Sequence, residues 1–324
     1  MKYFYFSFFI LFVGLVGAYF LGGFSAVYIT FLLCILEISL SFDNAVINAS
    51  VLNLMNEIWR KRFILWGILI AVFGMRFLFP LLIVSISAQI SIFQTLNLAI
   101  YDPQKYGEIL STHKDEIYAF GGAFLLMVAV EFFFDKDREI YWIKLLENGA
   151  IIKFLRNISN ISTLIALAFG LILVLNLSNL AVALAYFSAI FAYIFINSTS
   201  DFLSKTGAKS GLAGFIYLET LDASFSFDGV IGAFALSENI FIIMIGLGAG
   251  AMFVRSMTIF LVEKGTLGEF VYLEHGAHYA IFALSAIMFL KLKFEVSELI
   301  TGTIGFAFIL AAFLSSLVRN RRIL

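Results

Sequence analysis

Long apolar runs separated by short polar stretches dominate this chain. An apolar run of about 20 residues can cross the roughly 30 Å hydrocarbon core of a bilayer as a helix. The pattern predicts ten such spans, near residues 3–22, 24–52, 63–87, 117–134, 159–177, 179–200, 211–236, 240–262, 275–290 and 299–318. The fold class expected is therefore all-α: a polytopic transmembrane helical bundle that forms a single membrane domain over residues 1–324.

Composition supports a membrane protein and narrows the chemistry. Hydrophobic residues make up 62% of the chain and charged residues 13%, whereas soluble domains carry about 25% charged residues. The mean hydropathy is +1.00. The single cysteine, Cys34, excludes an internal disulfide and a cysteine-based metal cage. The formal net charge of −1 says nothing about partners, and no nucleic-acid partner is expected.

The basic residues predict the orientation of the spans. With ten spans, 15 lysines and arginines fall in connections on one side and 4 on the other, while Arg76 and Arg255 fall within the membrane. Basic residues concentrate in cytoplasmic loops. Both termini are therefore expected in the cytoplasm, in a multi-pass protein of the bacterial inner membrane. The stretches 90–100 and 138–156 are expected to be amphipathic helices at the membrane surface.

One acidic phrase occurs twice. "LEISLSFD" at 36–43 aligns with "LDASFSFD" at 221–228 at an offset of 185, and "GILIAVFGMR" at 67–76 aligns with "GLGAGAMFVR" at 246–255 at an offset of 179. The first copy lies in the second predicted span and the second copy in the seventh, so the two cross in opposite directions. The expectation is an inverted internal repeat, with repeat A at approximately 24–134 and repeat B at approximately 211–290. Such repeats are typical of secondary transporters, which bind substrate near the midplane.

The predicted spans contain more acidic than basic groups. The intramembrane ionisable residues are Glu37, Asp43, Arg76, Glu219, Asp222, Asp228 and Arg255. Each charge at a helix centre costs about 2.5–3.5 kcal/mol, so these groups must pair, bind a ligand, face water or be protonated. Five carboxyl groups against two guanidinium groups leave a surplus of negative charge. That surplus favours a cation site or a proton-linked site.

Helical spacing places part of this chemistry on one face. Glu37, Ser41, Asn44 and Asn48 form a polar stripe, whereas Asp43 lies about 240° round the helix from Glu37. For both carboxylates of one copy to reach one ion, the helix must be locally unwound or buried on most sides. Gly229 and Gly232 are candidate points of unwinding in the second copy, and Pro80 disrupts the helix after Arg76.

The available donors are hard oxygen atoms. Carboxylates, amide oxygens and hydroxyls suit Mg²⁺, Ca²⁺ or Mn²⁺ better than copper or zinc. Arg76 and Arg255 have a second interpretation, as clamps that pair with carboxylates and hold helices together.

A further polar cluster lies at the start of the ninth predicted span. Glu274, His275 and His278 do not follow the H-E-x-x-H order of zinc hydrolases. Two interpretations stay open for them: a structural or gating role, and a peripheral metal or proton-relay role. The sequence also lacks a Gly-x-Ser-x-Gly elbow, and nothing in it indicates an enzyme.

The two signatures resemble those of a known family. "E-x-x-L-S-F-D-N" at 37–44 and "E-T-L-D-A-S-F-S-F-D-G" at 219–229 are similar to the paired signatures of the TerC family of integral membrane proteins, allied to the LysE superfamily of exporters. The resemblance implies manganese efflux. It also implies a set of ion ligands, namely Glu37, Asp43, Asn44, Glu219, Asp222 and Asp228. The chain departs from the usual pattern after Asp228, where Gly229 and Gly232 stand in place of Ser and Pro.

These patterns lead to one main expectation and two alternatives. The main one is a secondary transporter, not an enzyme, that exports a hard divalent cation with Mn²⁺ foremost and exchanges protons at the same carboxyl groups. Ser41, Ser226, Arg76 and Arg255 are expected to support the site, and no prosthetic group is expected. The alternatives are an exporter of an amino acid or other small metabolite, and a structural protein of a membrane stress response.

Overall fold

The computed structural model describes residues 2–78, 81–82, 84–85, 89–136, 138–203, 211–234, 236–237, 239–265, 269–296 and 298–323. In these ranges every regular element is helical. The elements are α1 (Tyr5–Leu40), α2 (Phe42–Leu54), α3 (Glu57–Leu69) with a π-helical continuation (Ile70–Leu78), α4 (Ile92–Tyr101), α5 (Pro103–Thr112), α6 (Lys114–Phe134), α7 (Lys144–Glu147), α8 (Ala150–Arg156), α9 (Ile161–Leu177), α10 (Leu180–Leu203), α11 (Gly211–Phe234), α12 (Ile240–Glu263), α13 (Leu273–Lys291) and α14 (Glu298–Ile323).

Several of these helices can cross a membrane. In the described ranges five have the length and apolarity required, and the bent pair Lys144–Arg156 and Ile161–Leu177, at 97°, would make a sixth. The five are Tyr5–Ile38, Lys114–Phe134, Ile240–Glu263, Leu273–Lys291 and Thr303–Arg321. The prediction of an all-α, multi-pass membrane protein is confirmed at this level. The count of ten spans stays a prediction.

Helix α1 is too long to be a single straight span. At 1.5 Å per residue its 36 residues would extend for about 54 Å, well beyond the roughly 30 Å of a bilayer core. The helix is interrupted at Gly22 and Gly23, where Gly23 has φ 67° and ψ −154°. Glycine adopts this left-handed φ at no steric cost. The interruption falls at the predicted boundary between the first two spans.

Contacts with α12 show that the chain reverses direction at this interruption. Before Gly23, successive residues of α1 contact earlier and earlier residues of α12. After Gly23, successive residues of α1 contact later and later residues of α12. The contacts are Ser7 with Met252, Gly14 with Ile245, Leu33 with Gly246 and Glu37 with Gly250. The two halves of α1 therefore run antiparallel to each other, and both pack on α12.

The second predicted span, 24–52, contains a break. Helix α1 ends at Leu40 and α2 begins at Phe42, while Ser41 between them has φ −109° and ψ 17°. The local irregularity expected in the first copy is present here. In the second copy the expectation is wrong, since the backbone of α11 is helical across Gly229 and Gly232. Pro80 lies outside the described residues, but the π-helical segment ends two residues before it.

Helix α3 turns back along α2, and α11 follows α3. Arg60 near the start of α3 donates to the carbonyl of Leu52 near the end of α2. In α11, the ring of Phe215 lies 6.0 Å from Trp59 and 6.1 Å from Phe63 between ring centroids. Four residues later, Glu219 contacts Gly67. Helix α11 is therefore parallel to α3 and antiparallel to α2.

Helices α6 and α13 form the buried centre of the molecule with α12. Ser285 of α13 donates to the carbonyl of Gly122 at 2.7 Å, and Phe132 stacks on His278, so α6 and α13 run antiparallel. In α6 and α12, 67% of the apolar membrane-length stretch is buried, compared with 11% of the corresponding stretch in α1 and 17% in α14. The apolar exposed faces of α1 and α14 lie at the periphery, where lipid replaces water as the solvent.

Candidate functional site

A buried ion pair joins the first acidic signature to the helix that follows it. Arg76, in the π-helical segment, donates to Oε1 of Glu37 near the end of α1. The same carboxylate oxygen accepts a hydrogen bond from the hydroxyl of Ser41 at 2.8 Å. Glu37 is 1% exposed and Arg76 is 2% exposed. Burial excludes water from this pair, so its attraction is stronger than that of an exposed pair.

A second hydrogen bond joins the two acidic signatures directly. The side-chain nitrogen of Asn44 in α2 donates to Oδ1 of Asp222 in α11. Asp222 also lies close enough to Arg76 for charge attraction. The carboxylates of Glu37 and Asp222, which are matched in the sequence repeat, therefore both interact with one guanidinium group.

A small cavity lies beside these groups, bounded by α2, α3 with its π-helical segment, α11 and α12. Its volume is about 50 Å³, which is enough for a few water-sized occupants. Apolar side chains such as Leu52, Phe63 and Val72 form part of the wall. The polar and charged residues lining it are Asn48, Arg76, Glu219, Asp222, Arg255 and Thr258.

Several polar atoms around this cavity have no hydrogen-bond partner among the described residues. They are Oδ1 of Asn48, Oε1 of Glu219 and Nε of Arg255, all on residues that line the cavity, and Oδ1 of the adjacent Asn44. Leaving a buried donor or acceptor unsatisfied costs about 1–3 kcal/mol. Unsatisfied atoms from three helices around one cavity therefore make it a candidate site for a polar or charged occupant.

The structure does not bring Asp43 to this cavity. Asp43 is 3% exposed, and its Oδ1 accepts from the backbone nitrogen of Asn44 at 3.0 Å. Its Oδ2 faces α14, where a β-carbon at Gly305 would lie 3.8 Å away. The helical spacing explains this, because Asp43 lies on a different face of the helix from Glu37 and the break at Ser41 does not turn it back.

The positions of two further predicted site residues are described for the backbone only. Asp228 and Ser226 belong to α11, but their side chains lie outside the described residues. Over the side chains that are described, no group of three or more His, Cys, Asp or Glu residues is arranged to hold a metal ion. The predicted six-residue ligand set is thus reduced here to the carboxylates of Glu37, Glu219 and Asp222 with Asn44.

Asn48 and Thr258 are the polar lining residues that were predicted neither as ligands nor as supporting residues. Asn48 belongs to the polar stripe of Glu37, Ser41 and Asn44, so its spacing on the helix already carried a signal. Thr258 lies three residues after Arg255 on α12, one helical turn away. Nothing in its own neighbourhood distinguishes it from an ordinary helix threonine.

The histidine cluster has a structural role in this arrangement. Nε2 of His275 donates to the carbonyl of Ile140 at 2.8 Å and lies 3.6 Å from a carboxylate oxygen of Glu147. Nδ1 of His278 donates to the carbonyl of Glu274 at 2.8 Å, and its ring stacks on Phe132. These contacts hold the 138–147 connection against α6 and α13. Of the two interpretations left open by the sequence, the geometry favours the structural one.

The 138–156 connection is itself held by a buried ionic network. Arg138 donates to Glu147, and Arg156 donates to the carbonyls of Phe133 and Glu147. Burial lowers the pKa of Arg138, and the charge of Glu147 opposes that shift. The segment contains α7 and α8 and is anchored to the end of α6.

Comparison with known proteins places the chain in a family but provides no relative of known activity. No protein with a curated description matches it, and no solved structure matches it. Residues 42–323, which include α2 and nearly all the helices after it, match the model of the family described as "Protein of unknown function (DUF475)", and the chain therefore belongs to that family.

Proposed function

We propose that this protein is a secondary transporter that exports a hard divalent cation, with Mn²⁺ as the leading candidate. The observation that carries the proposal is the cavity between α2, α3, α11 and α12, where oxygens of Asn48 and Glu219 have no hydrogen-bond partner among the described residues. A transporter needs a polar site that is sheltered from lipid and close to the contact between its moving parts.

The directions of the helices support an inverted repeat over approximately 24–134 and 211–290. Helix α11 runs antiparallel to α2, its match in the sequence repeat. Helix α3 runs against α2 while α12 follows the second half of α1, so α3 and α12 also oppose each other. Helices α6 and α13, the third in each proposed repeat, are antiparallel as well. Alternating access would then consist of one repeat rocking against the other around the cavity.

The chemistry of the lining favours a hard cation. Glu219, Asp222 and Asn48 present carboxylate and amide oxygens, which are the donors that Mg²⁺, Ca²⁺ and Mn²⁺ prefer. Manganese is chosen among these on the resemblance of the two signatures to the TerC family. In this proposal protons exchange at the same carboxyl groups, and the energy comes from an ion gradient or the membrane potential.

The proposal includes a topology and a location. Ten spans with both termini in the cytoplasm place the connection 138–156 inside the cell, in a bacterial inner membrane. The reversal at Gly23 supports two spans within α1. The basic residues of the connections, 15 on one side against 4 on the other, support the orientation.

A second candidate cargo is an amino acid or another small zwitterion. Arg255 lines the cavity, and its Nε has no partner among the described residues. A guanidinium group with an unsatisfied donor is suited to a substrate carboxylate, while Glu219 would receive the substrate's ammonium group. This alternative is tested beside the first.

The test is the manganese content of cells and the efflux of Mn²⁺ from proteoliposomes. Wild-type protein is expected to lower cellular manganese and raise manganese resistance, whereas Asp222→Asn is expected to lose at least tenfold in efflux rate. The matched control is Asp102→Asn, which makes the same chemical change at an exposed position after α4. The same vesicles loaded with a basic or a neutral amino acid test the second candidate.

The outcomes separate the classes of function. Efflux of an amino acid without Mn²⁺ efflux would replace the first cargo by the second. If manganese and amino acid contents are the same with wild type, Asp222→Asn and no protein, the transporter proposal is wrong and a structural role is favoured.

A further inference from the structure

Arg76 occupies a position where the neighbouring carboxylates would also attract a metal cation. Its guanidinium group donates to Glu37 and is attracted by Asp222, so it interacts with the matched carboxylates of both copies. It also lines the cavity beside Glu219. At 2% exposure it is sheltered from solvent, so its charge acts on the cavity with little screening.

The formal charges show what this position implies for a divalent cation. When ionised, Glu37, Glu219 and Asp222 together with Arg76 and Arg255 carry −1. If Arg76 is set aside, the remaining four groups carry −2, which one divalent cation neutralises. A divalent cation and the Arg76 guanidinium therefore compete for the same carboxylates, and like charges a few ångströms apart repel strongly at low dielectric constant.

The backbone that carries Arg76 is suited to a change of position. Arg76 lies in the π-helical segment Ile70–Leu78, and short π-helical stretches are frequent at functional sites. A π turn closes a hydrogen bond one residue longer than an α turn. If the segment changed from the π-helical to the α-helical hydrogen-bonding pattern, the helix would shift by one residue and a side chain would turn by about 100° around the helix axis. Such a shift would carry the guanidinium away from Glu37.

We infer that Arg76 is a tethered counter-cation: it offsets part of the negative charge of Glu37 and Asp222 while the cavity is empty, and the transported cation must displace it to bind. This inference rests on the proposed function and adds a mechanism for it. An empty site whose negative charge is reduced in this way can change its orientation across the membrane at a lower cost in free energy than one without Arg76. Cation binding and withdrawal of Arg76 then become one exchange.

Binding of Mn²⁺ to the purified full-length protein in lipid nanodiscs tests this inference. The probe is Mn²⁺ alone, and its binding is measured as the loss of the electron paramagnetic resonance signal of the free ion. Arg76→Gln is expected to bind Mn²⁺ at least tenfold more tightly than wild type, because it removes the competing charge. In proteoliposomes the same variant is expected to release Mn²⁺ more slowly.

Two variants distinguish competition from a merely structural clamp. Arg76→Lys keeps the charge but loses the planar fork of the guanidinium, and it is expected to bring the affinity back to the wild-type range. Lys61→Gln removes a positive charge at the exposed pair with Glu57 and is expected to leave the affinity unchanged. If Arg76→Gln binds Mn²⁺ no more tightly than wild type, or if Arg76→Lys behaves like Arg76→Gln, Arg76 is a clamp and the inference is wrong.

A measurement on the wild type covers the case in which Arg76→Gln does not fold. Saturating Mn²⁺ is expected to raise hydrogen–deuterium exchange at least twofold in residues 70–78, because the π-helical segment must rearrange. If Mn²⁺ binds but hydrogen–deuterium exchange in residues 70–78 does not change, the inference about Arg76 is wrong, while the proposed function is not affected. Absence of Mn²⁺ binding in wild type and Arg76→Gln at millimolar concentration would overturn the proposed function as well.

Discussion

At the scale of single residues, the site combines satisfied and unsatisfied polar groups. Glu37, Ser41 and Arg76 have partners that hold them in place. Asn48 and Glu219, which line the cavity, each have an oxygen with no partner in the part of the chain that is described. Removing one partner of a buried ion pair costs about 3–5 kcal/mol because the other charge stays buried. The paired groups therefore fix the geometry, and in the proposed function the other oxygens are the ones that bind the substrate.

Asn48 provides a test of the available oxygens. Asn48→Ala removes an acceptor that has no partner among the described residues, without changing the charge of the cavity. We therefore expect Mn²⁺ efflux to fall by about threefold to tenfold, or about 0.7–1.4 kcal/mol, which is the net value of about one ordinary hydrogen bond. Thermal stability is expected to be unchanged or slightly raised, since an unsatisfied buried oxygen is lost. Efflux from proteoliposomes and a melting curve in detergent measure the two effects.

The control for this substitution is Asn53→Ala, five residues later on the exposed end of α2. It is expected to transport at the wild-type rate. Equal rates for Asn48→Ala and wild type would show that Asn48 does not contact the substrate.

At the scale of the elements, close packing of α1 on α12 positions the ion pair. The backbone of Gly250 lies directly against Glu37: a β-carbon at position 250 would lie 2.5 Å from Cβ of Glu37 and 2.9 Å from the carbonyl oxygen of Cys34. Real β-carbons do not approach so closely. Small residues allow such close contact between membrane helices, so Gly250 sets the distance between α1 and α12.

Gly250→Ala is therefore expected to destabilise the protein by about 1–3 kcal/mol, the usual cost of overpacking a tight contact. It is also expected to lower transport, because Glu37 must move. Gly17→Ala is the matched control, since a β-carbon there meets nothing within 4 Å, and its effect is expected to stay within about 1 kcal/mol. Reversible denaturation in mixed micelles measures both, and similar values for the two variants would contradict the packing argument.

At the scale of the whole molecule, the arrangement of helices determines which connections share a side of the membrane. Helix α6 crosses from Lys114 to Phe134, so the residues just beyond its two ends must lie on opposite sides. The reversal at Gly23 and the return of α3 along α2 add two further constraints. Together with the basic residues of the connections, these make the topology testable.

Labelling of single introduced cysteines tests the topology. Cys34 is buried at 2% exposure and gives little background, so cysteines at positions 61, 114 and 136 can be read individually. We expect an impermeant maleimide outside the cell to label position 114 only, and positions 61 and 136 to react after the membrane is opened. External labelling of position 136 would reverse the proposed orientation, and labelling of 114 and 136 from one side would contradict a span at α6.

Much of the fold was predictable because lipid imposes simple rules on a sequence. Backbone polar groups must be satisfied within each segment, so long apolar runs become helices, as in α6, α12 and α13. The boundary near Gly23 was also predictable, because no apolar run can exceed the bilayer thickness by a wide margin. The breaks at Ser41 and in the π-helical segment were less predictable, since each depends on how neighbouring helices pack.

The sequence by itself determined that this is a membrane protein, that its segments are helical and that it contains two matched acidic signatures. These features depend only on composition, spacing and order along the chain. The tertiary structure decided which acidic groups share a cavity: Asp222 and Glu219 line it beside Glu37, while Asp43 faces α14. It also decided that Arg76 interacts with the acidic groups of both copies and that Oδ1 of Asn48 has no partner among the described residues. The physical reason is that a side chain's neighbours depend on the rotation and separation of packed helices, and small changes in either move a carboxylate from one environment to another.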